Sequence, residues 1–246
     1  MHDIALSGIY FFSIALLYST VGHAGASGYL ATMALLSFTP EVMKPTALAL
    51  NIIVALVTTV RFAMAGHFFW RLFWPFACAA APMAYIGGGM SMDAALYKIL
   101  VGIALVFAAL HLMLRINAAT DDTEGAPHPG IAASLAVGGG IGFLSGLTGV
   151  GGGIFLSPVL ISLHWAGFRR TAAVAAAFIL LNSITGLAGY LQTGGVFPDH
   201  IAFWSVAVLS GGFIGSTLGA TRFNSPALRV LLGVMLVMAG VKMVVI

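Results

Sequence analysis

Charge is what this chain has least of. Of its 246 residues only 7% are Asp, Glu, Lys or Arg, against 60% hydrophobic, where a soluble globular domain carries about a quarter charged. With a mean hydropathy of +1.06, the composition excludes a soluble fold and reads as an all-α polytopic membrane protein. Cysteine is nearly missing too. The single Cys78 excludes an intramolecular disulfide and, set in an apolar run, is expected to be a small buried residue. No Cys/His cluster has metal-ligand spacing, so neither a metal nor another cofactor is expected. The net charge of +3 reads as orientation signals at loop ends and not as a nucleic-acid surface. Carboxylates are missing where they would matter most: Asp3, Glu41, Asp93 and Asp199 all fall at the ends of apolar stretches. Nothing embedded can therefore act as an acidic proton or cation relay, and no enzymatic centre is expected.

What the chain does have is long apolar sequence. A crossing of the hydrocarbon core needs roughly 20 apolar residues, and the stretches that qualify are Ile4–Val21, Thr46–Ala65, Leu72–Gly89, Ala94–Leu114, Ile131–Leu147, Thr171–Leu191, Ile201–Ala220 and Ala227–Ile246. The first has His2 and Asp3 in place of a basic leader, so it is taken as a membrane helix and not a signal peptide. Residues 117–130, holding Asp121, Asp122, Glu124, Pro127 and Pro129, read as a polar linker between a first unit, 1–116, and a second, 131–246.

Glycine interrupts these runs. Gly149, Gly151, Gly152, Gly153 and Pro158 stand where an apolar helix should be crossing lipid, and a degraded copy lies at Ser19–Thr32. Backbone that loses its helical hydrogen bonds at membrane depth survives only inside protein or beside a polar cavity. Each run is therefore expected to break a helix near the midplane, at Ser27-Gly28 and at Gly152-Gly153. Close helix packing is the alternative use of such glycines. The short apolar pieces that follow, Gly28–Phe38 and Gly153–Trp165, reach about 16–20 Å, half a crossing.

Laid over one another with a shift of about 125 residues or slightly more, the two units match at their glycine runs and at the segments after them, which predicts two pseudo-symmetric halves. If Ile4–Phe38 turns back as a hairpin, the halves are inverted. Arg61, Arg71, Arg115, Arg169, Arg170, Arg222 and Arg229 then share one side, against Lys44, Lys98 and Lys242. The positive-inside rule favours this arrangement over the parallel one, with both termini outside the cytoplasm.

Polar side chains inside the spans are few, and they mark the expected substrate site: Asn51 and Asn182, each the lone amide of the helix after a break, with Ser27, Gly28, Thr148, Gly151, Gly152, Gly153 and Thr171. Interhelical hydrogen bonding is the alternative for the amides, and helix capping for Thr46 and Thr171, which are expected to open their helices. His23 lies beside the first break and is the candidate proton relay. N–H groups at the start of a half-helix carry partial positive charge, so such a centre prefers an anion.

The run Gly149-Val150-Gly151-Gly152-Gly153, followed by Pro158-Val159-Leu160 and by Thr171, resembles the TauE/SafE family of sulfite-exporter-like permeases. The resemblance covers nearly the whole chain. It implies a secondary transporter in the inner membrane that exports a small anion, a sulfur oxyanion or organosulfonate, with protons as the simplest coupling ion. The first half departs from the family pattern, with Gly22-His23-Ala24-Gly25-Ala26-Ser27-Gly28 and with Thr32 in place of the proline. Two other classes share these residues: a passive anion channel on the same fold, and a rhomboid-like intramembrane serine protease through the GxSG pattern of Gly25–Gly28. The expected partners are the lipid bilayer and the anion, and no oligomeric state is assigned.

Overall fold

The computed structural model describes residues 4–114, 129–197, 200–221 and 226–245. Most of the linker, with Arg115, Asp199 and Arg222, lies outside them. Among the described residues the chain is helical with no strand: α1 (Ile4–Ser19), α2 (Ala26–Leu35), α3 (Pro40–Met64), α4 (Trp70–Gly89), α5 (Ala94–Leu114), α6 (Ile131–Thr148), α7 (Gly153–Ser162), α8 (Phe168–Gln192), α9 (Ile201–Thr221) and α10 (Pro226–Val245). By length and composition, four of these helices can cross a membrane, over 40–64, 131–148, 169–192 and 201–219. The other expected spans are also helices, α1, α4, α5 and α10.

Local chemistry sets several helix starts. Pro40 occupies the first turn of α3, where its missing N–H costs nothing. Asp93 Oδ1 accepts from the N–H of Ala95 at 2.8 Å and of Leu96 at 3.4 Å, capping α5. These starts correct the sequence reading in three places. Thr46 lies inside α3 and donates to the Val42 carbonyl at 2.6 Å. The Lys44-Pro45-Thr46 run looked like a start because proline favours first turns, but Pro40 takes that role and Pro45 is absorbed within the helix. Thr171 likewise follows the true start of α8 at Phe168. Ser27 and Gly28 belong to α2, and the first interruption is at residues 20–25. Cys78 is also corrected: it is exposed on α4, not buried.

Glycines set the closest packing, in two ladders and where Gly88 and Gly189 bring α4 and α8 together backbone to backbone. On α6, Gly138, Gly142 and Gly146 lie against the backbone carbonyls of Phe76, Ala80 and Ala84 of α4. On α9, Gly211, Gly215 and Gly219 lie against those of Phe12 and Leu16 of α1 and of Thr20 just after it. Residue numbers rise together along both pairs, so each runs parallel, and neither leaves room for a Cβ. Two other pairs run the opposite way. Along α3 and α8, Lys44 lies 5.9 Å from the Tyr190 ring centroid, Leu48 is beside Gly186, and Phe62 packs with Ala172 and Ala173. Along α5 and α10, Gly102 meets Val244 and Gly240 meets Val106.

Lys44 is not the loop-end charge expected of it. It is buried, 7% exposed, and its Nζ donates to the carbonyls of Gly87 (3.3 Å), Gly88 (2.7 Å) and Met90 (3.3 Å) at the end of α4. Lys242 does the same for α2, donating to the Leu35 carbonyl at 2.8 Å and to Ser37 Oγ at 3.0 Å. A helix C-terminus carries partial negative charge and unpaired carbonyls, so an ammonium group there satisfies both.

The ladders give a direct test. Gly142→Leu should lower stability in detergent by about 3 kcal/mol or prevent folding, because the neighbour it meets is backbone. Gly140→Leu on the same helix has nothing within 4 Å of its Cβ and should unfold at the parent temperature. Equal losses in a thermal-unfolding measurement would show that the ladder does not govern this interface.

Candidate functional site

Each break is held by hydrogen bonds that its own sequence supplies. At the first, Gly22 (φ 79) and Gly25 (φ 100) turn the chain, and the Tyr18 carbonyl accepts from the N–H of Val21 at 3.1 Å and of His23 at 3.0 Å. Tyr29 Oη donates to the Ala24 carbonyl at 2.8 Å, and Ser27 Oγ donates to Tyr18 Oη at 3.1 Å. At the second, the Gly149 N–H bonds the Ser145 carbonyl at 2.8 Å and Tyr97 Oη donates to the Thr148 carbonyl at 3.1 Å. The Thr148 hydroxyl is turned onto its own backbone, donating to Leu144 O at 2.7 Å and accepting from the Val150 N–H at 3.4 Å.

The helices that restart after the breaks are left open. Gly25 is the N-cap of α2 and Gly152 that of α7, and neither start has a side-chain cap. The first-turn N–H groups of both helices thus present partial positive charge. Between them lies a small cleft lined by Tyr18, His23, Ser27, Asn51, Val150 and Ile154 among others. His23 ties the two breaks together, with Nδ1 3.2 Å from the Val21 carbonyl and Nε2 3.2 Å from Ser157 Oγ on α7. A carbonyl can only accept, so in this contact Nδ1 carries the proton.

Two buried amides stand against the second break. Asn51 and Asn182 are both 0% exposed, and neither Nδ2 nor Oδ1 of either has a hydrogen-bond partner. Orphaned buried groups of this kind are rare and point to a ligand or water. A Cβ on Gly151 would lie 2.6 Å from Asn51 Nδ2, and one on Gly152 would lie 3.0 Å from Asn182 Nδ2. With φ at 81 and 82, both positions favour glycine twice over, by conformation and by space.

Of the residues expected from sequence, His23, Ser27 and Asn51 line the cleft, with Gly151 against Asn51. Asn182 sits behind Gly152 and is not among the lining residues. Gly153 packs on Ile179, and Gly28 on Ile14 and Tyr18. Thr171 bonds the Ala166 carbonyl at 3.4 Å, about three helical turns before Asn182. The sequence reading did not single out Tyr18, Tyr97 or Ser157. Only Tyr18 had a local signal, as an aromatic hydroxyl one helix end before the glycines. The GxSG serine, Ser27, donates to Tyr18, while His23 bonds Ser157.

The sequence profile described as "Sulfite exporter TauE/SafE" matches residues 8–243. The chain is 40% identical over 238 residues, 96% of both chains, to the probable membrane transporter protein y4hK of Sinorhizobium fredii. It is 23% identical over 231 residues to the probable membrane transporter protein YunE of Bacillus subtilis, covering 84% of this chain and 81% of the other. It is 29% identical over 150 residues to the probable membrane transporter protein MJ0441 of Methanocaldococcus jannaschii, covering 59% and 54%. No solved structure matches the chain. With the profile spanning nearly all of its length, this protein belongs to the TauE/SafE sulfite exporter family and is a multi-pass membrane transporter, not an enzyme.

Proposed function

We propose that this transporter exports a small anion, a sulfur oxyanion or organosulfonate, through the cleft between its two helix breaks, as a secondary transporter of the inner membrane. The observation that carries this reading is the meeting of two uncapped helix starts with a buried, unpartnered amide, Asn51. Donors fixed at a buried centre replace the water around an anion without reorganising. No carboxylate is among the lining residues to repel it. The sulfur chemistry comes from the family's description. His23 lines the cleft and is the candidate for proton coupling.

We read the chain as two inverted pseudo-symmetric repeats, 1–116 and 131–246, joined by the 117–130 linker, with both breaks near the midplane. Exchanging α1–α5 for α6–α10 in order turns the parallel α1–α9 pair into the parallel α6–α4 pair. The same exchange maps α3–α8 and α5–α10 onto themselves, and both of those pairs are antiparallel, as inversion requires. In that frame Arg61, Arg71, Arg169 and Arg170 share the cytoplasmic side, and Lys44, Lys98 and Lys242 the other, with both termini outside.

Three measurements test this. In proteoliposomes screened with sulfite, sulfate, thiosulfate, sulfoacetate, taurine and chloride, sulfur-containing anions should move and should accumulate against their gradient when a proton gradient is imposed. Movement of neutral taurine alone would overturn the anion reading, and gradient-independent flux of many anions would make the protein a channel. Gly152→Val should insert normally yet lower flux at least about tenfold, through strain at a left-handed position and collision with Asn182. Full activity in that variant would reduce Gly152 to a packing residue. Single cysteines introduced as Arg61→Cys and Arg169→Cys should both label from the cytoplasmic side, and labelling from opposite sides would defeat the inversion.

A further inference from the structure

We infer that the cleft selects the monoprotonated form of its oxyanion, an ion with one O–H and one net negative charge, and that Asn51 is the residue that reads the proton. This rests on the anion reading above and names the ionisation state of the substrate. The first support is the chemistry of the amide. Asn51 is 0% exposed and lines the cleft, and both of its polar atoms lack partners. Whichever way the amide is turned, it presents an NH2 group that must donate and a carbonyl oxygen that must accept. A fully ionised oxyanion has only acceptor oxygens, so it satisfies Nδ2 and leaves Oδ1 stranded in a buried site, which costs about tenfold in affinity or more. An oxyanion that keeps one proton supplies the missing donor from its own O–H.

The second support is charge. Each uncapped helix start is worth about half an elementary charge, so the starts of α2 and α7 together balance about one negative charge. No Lys or Arg is among the lining residues to balance a second. Lys44, on the same helix as Asn51, is committed to the carbonyls of Gly87, Gly88 and Met90. The titratable groups that face the cleft are Tyr18 from α1 and His23 from the first break, with Tyr29 behind them on the Ala24 carbonyl. The lining residues from α3, α8, α7 and the second break are Asn51, Ile179, Ile154 and Val150, none of which titrates. One proton therefore travels on the substrate with each exported ion, beside any that His23 relays.

The test uses the full chain in proteoliposomes, with sulfite, selenite and sulfate as probes. Sulfite flux should fall about tenfold between one pH unit below and one above the second pKa of sulfite. Selenite holds its second proton more tightly, so its profile should be displaced to higher pH. Sulfate, fully ionised throughout, should move at least about tenfold more slowly than sulfite. Asn51→Ser, whose single hydroxyl can turn to donate to a fully ionised oxyanion, should narrow the sulfite-to-sulfate ratio. A common midpoint for sulfite and selenite would assign the titration to the protein and overturn the inference, as would sulfate flux equal to that of sulfite. An unchanged ratio in an active Asn51→Ser variant would remove Asn51 from the role. Failure of all three probes to move at any pH would overturn this inference, and the anion reading itself would fall only if thiosulfate and sulfoacetate failed to move as well.

Discussion

A backbone polar group out of reach of water must find a partner in the protein, and helices that stop inside this bundle meet that demand unevenly. Their carbonyl ends are covered: Lys44 closes α4, Lys242 closes α2, Tyr97 takes the last carbonyl of α6, and Tyr29 takes Ala24 beyond α1. The starts of α2 and α7 have no side-chain cap. Side chains thus cover these carbonyl ends, while the starts of α2 and α7, uncapped like other helix starts here, lie beside the cleft. A centre polarised in this way carries a positive potential with no charged side chain pointing into it.

Hydropathy made the class legible, since apolar runs long enough for helices and few charges leave no other fold. Glycine punctuation located both interrupted regions, though it misplaced the first one, because Gly25 and not Ser27-Gly28 takes the left-handed turn that ends the break. What failed was whatever depends on distant partners. Lys44 looked like an orientation signal because a hydropathy profile treats every lysine as a boundary, and nothing local reveals three waiting carbonyls on another helix. His23 and Ser157 lie 134 residues apart, so neither implies the other in sequence. The helix starts at Pro40 and Phe168 were missed because Pro45 and Thr171 carry the stronger local start signals.

The two breaks also differ in how they are held. The first is bound by tyrosine hydroxyls and a serine, with His23 bridging to α7, whereas the second is glycine backbone held at its edges, with unpartnered amides against it. Opening the first requires breaking named hydrogen bonds. At the second the bonds are those of Gly149, Thr148 and Tyr97 at its edges.

The glycine ladders bear on how such a molecule can move at all. Their teeth repeat every four residues, at about 6 Å along the helix, and between teeth the neighbouring side chains would collide with carbonyl oxygens. Sliding α6 along α4, or α9 along α1, is therefore stepwise with a large first step, like a ratchet, and small displacements are blocked. Each pair must travel as one rigid plank. Gly88, Gly186 and Gly189 bring α8 against α4 in the same close way, so α8 is held to the α4–α6 plank.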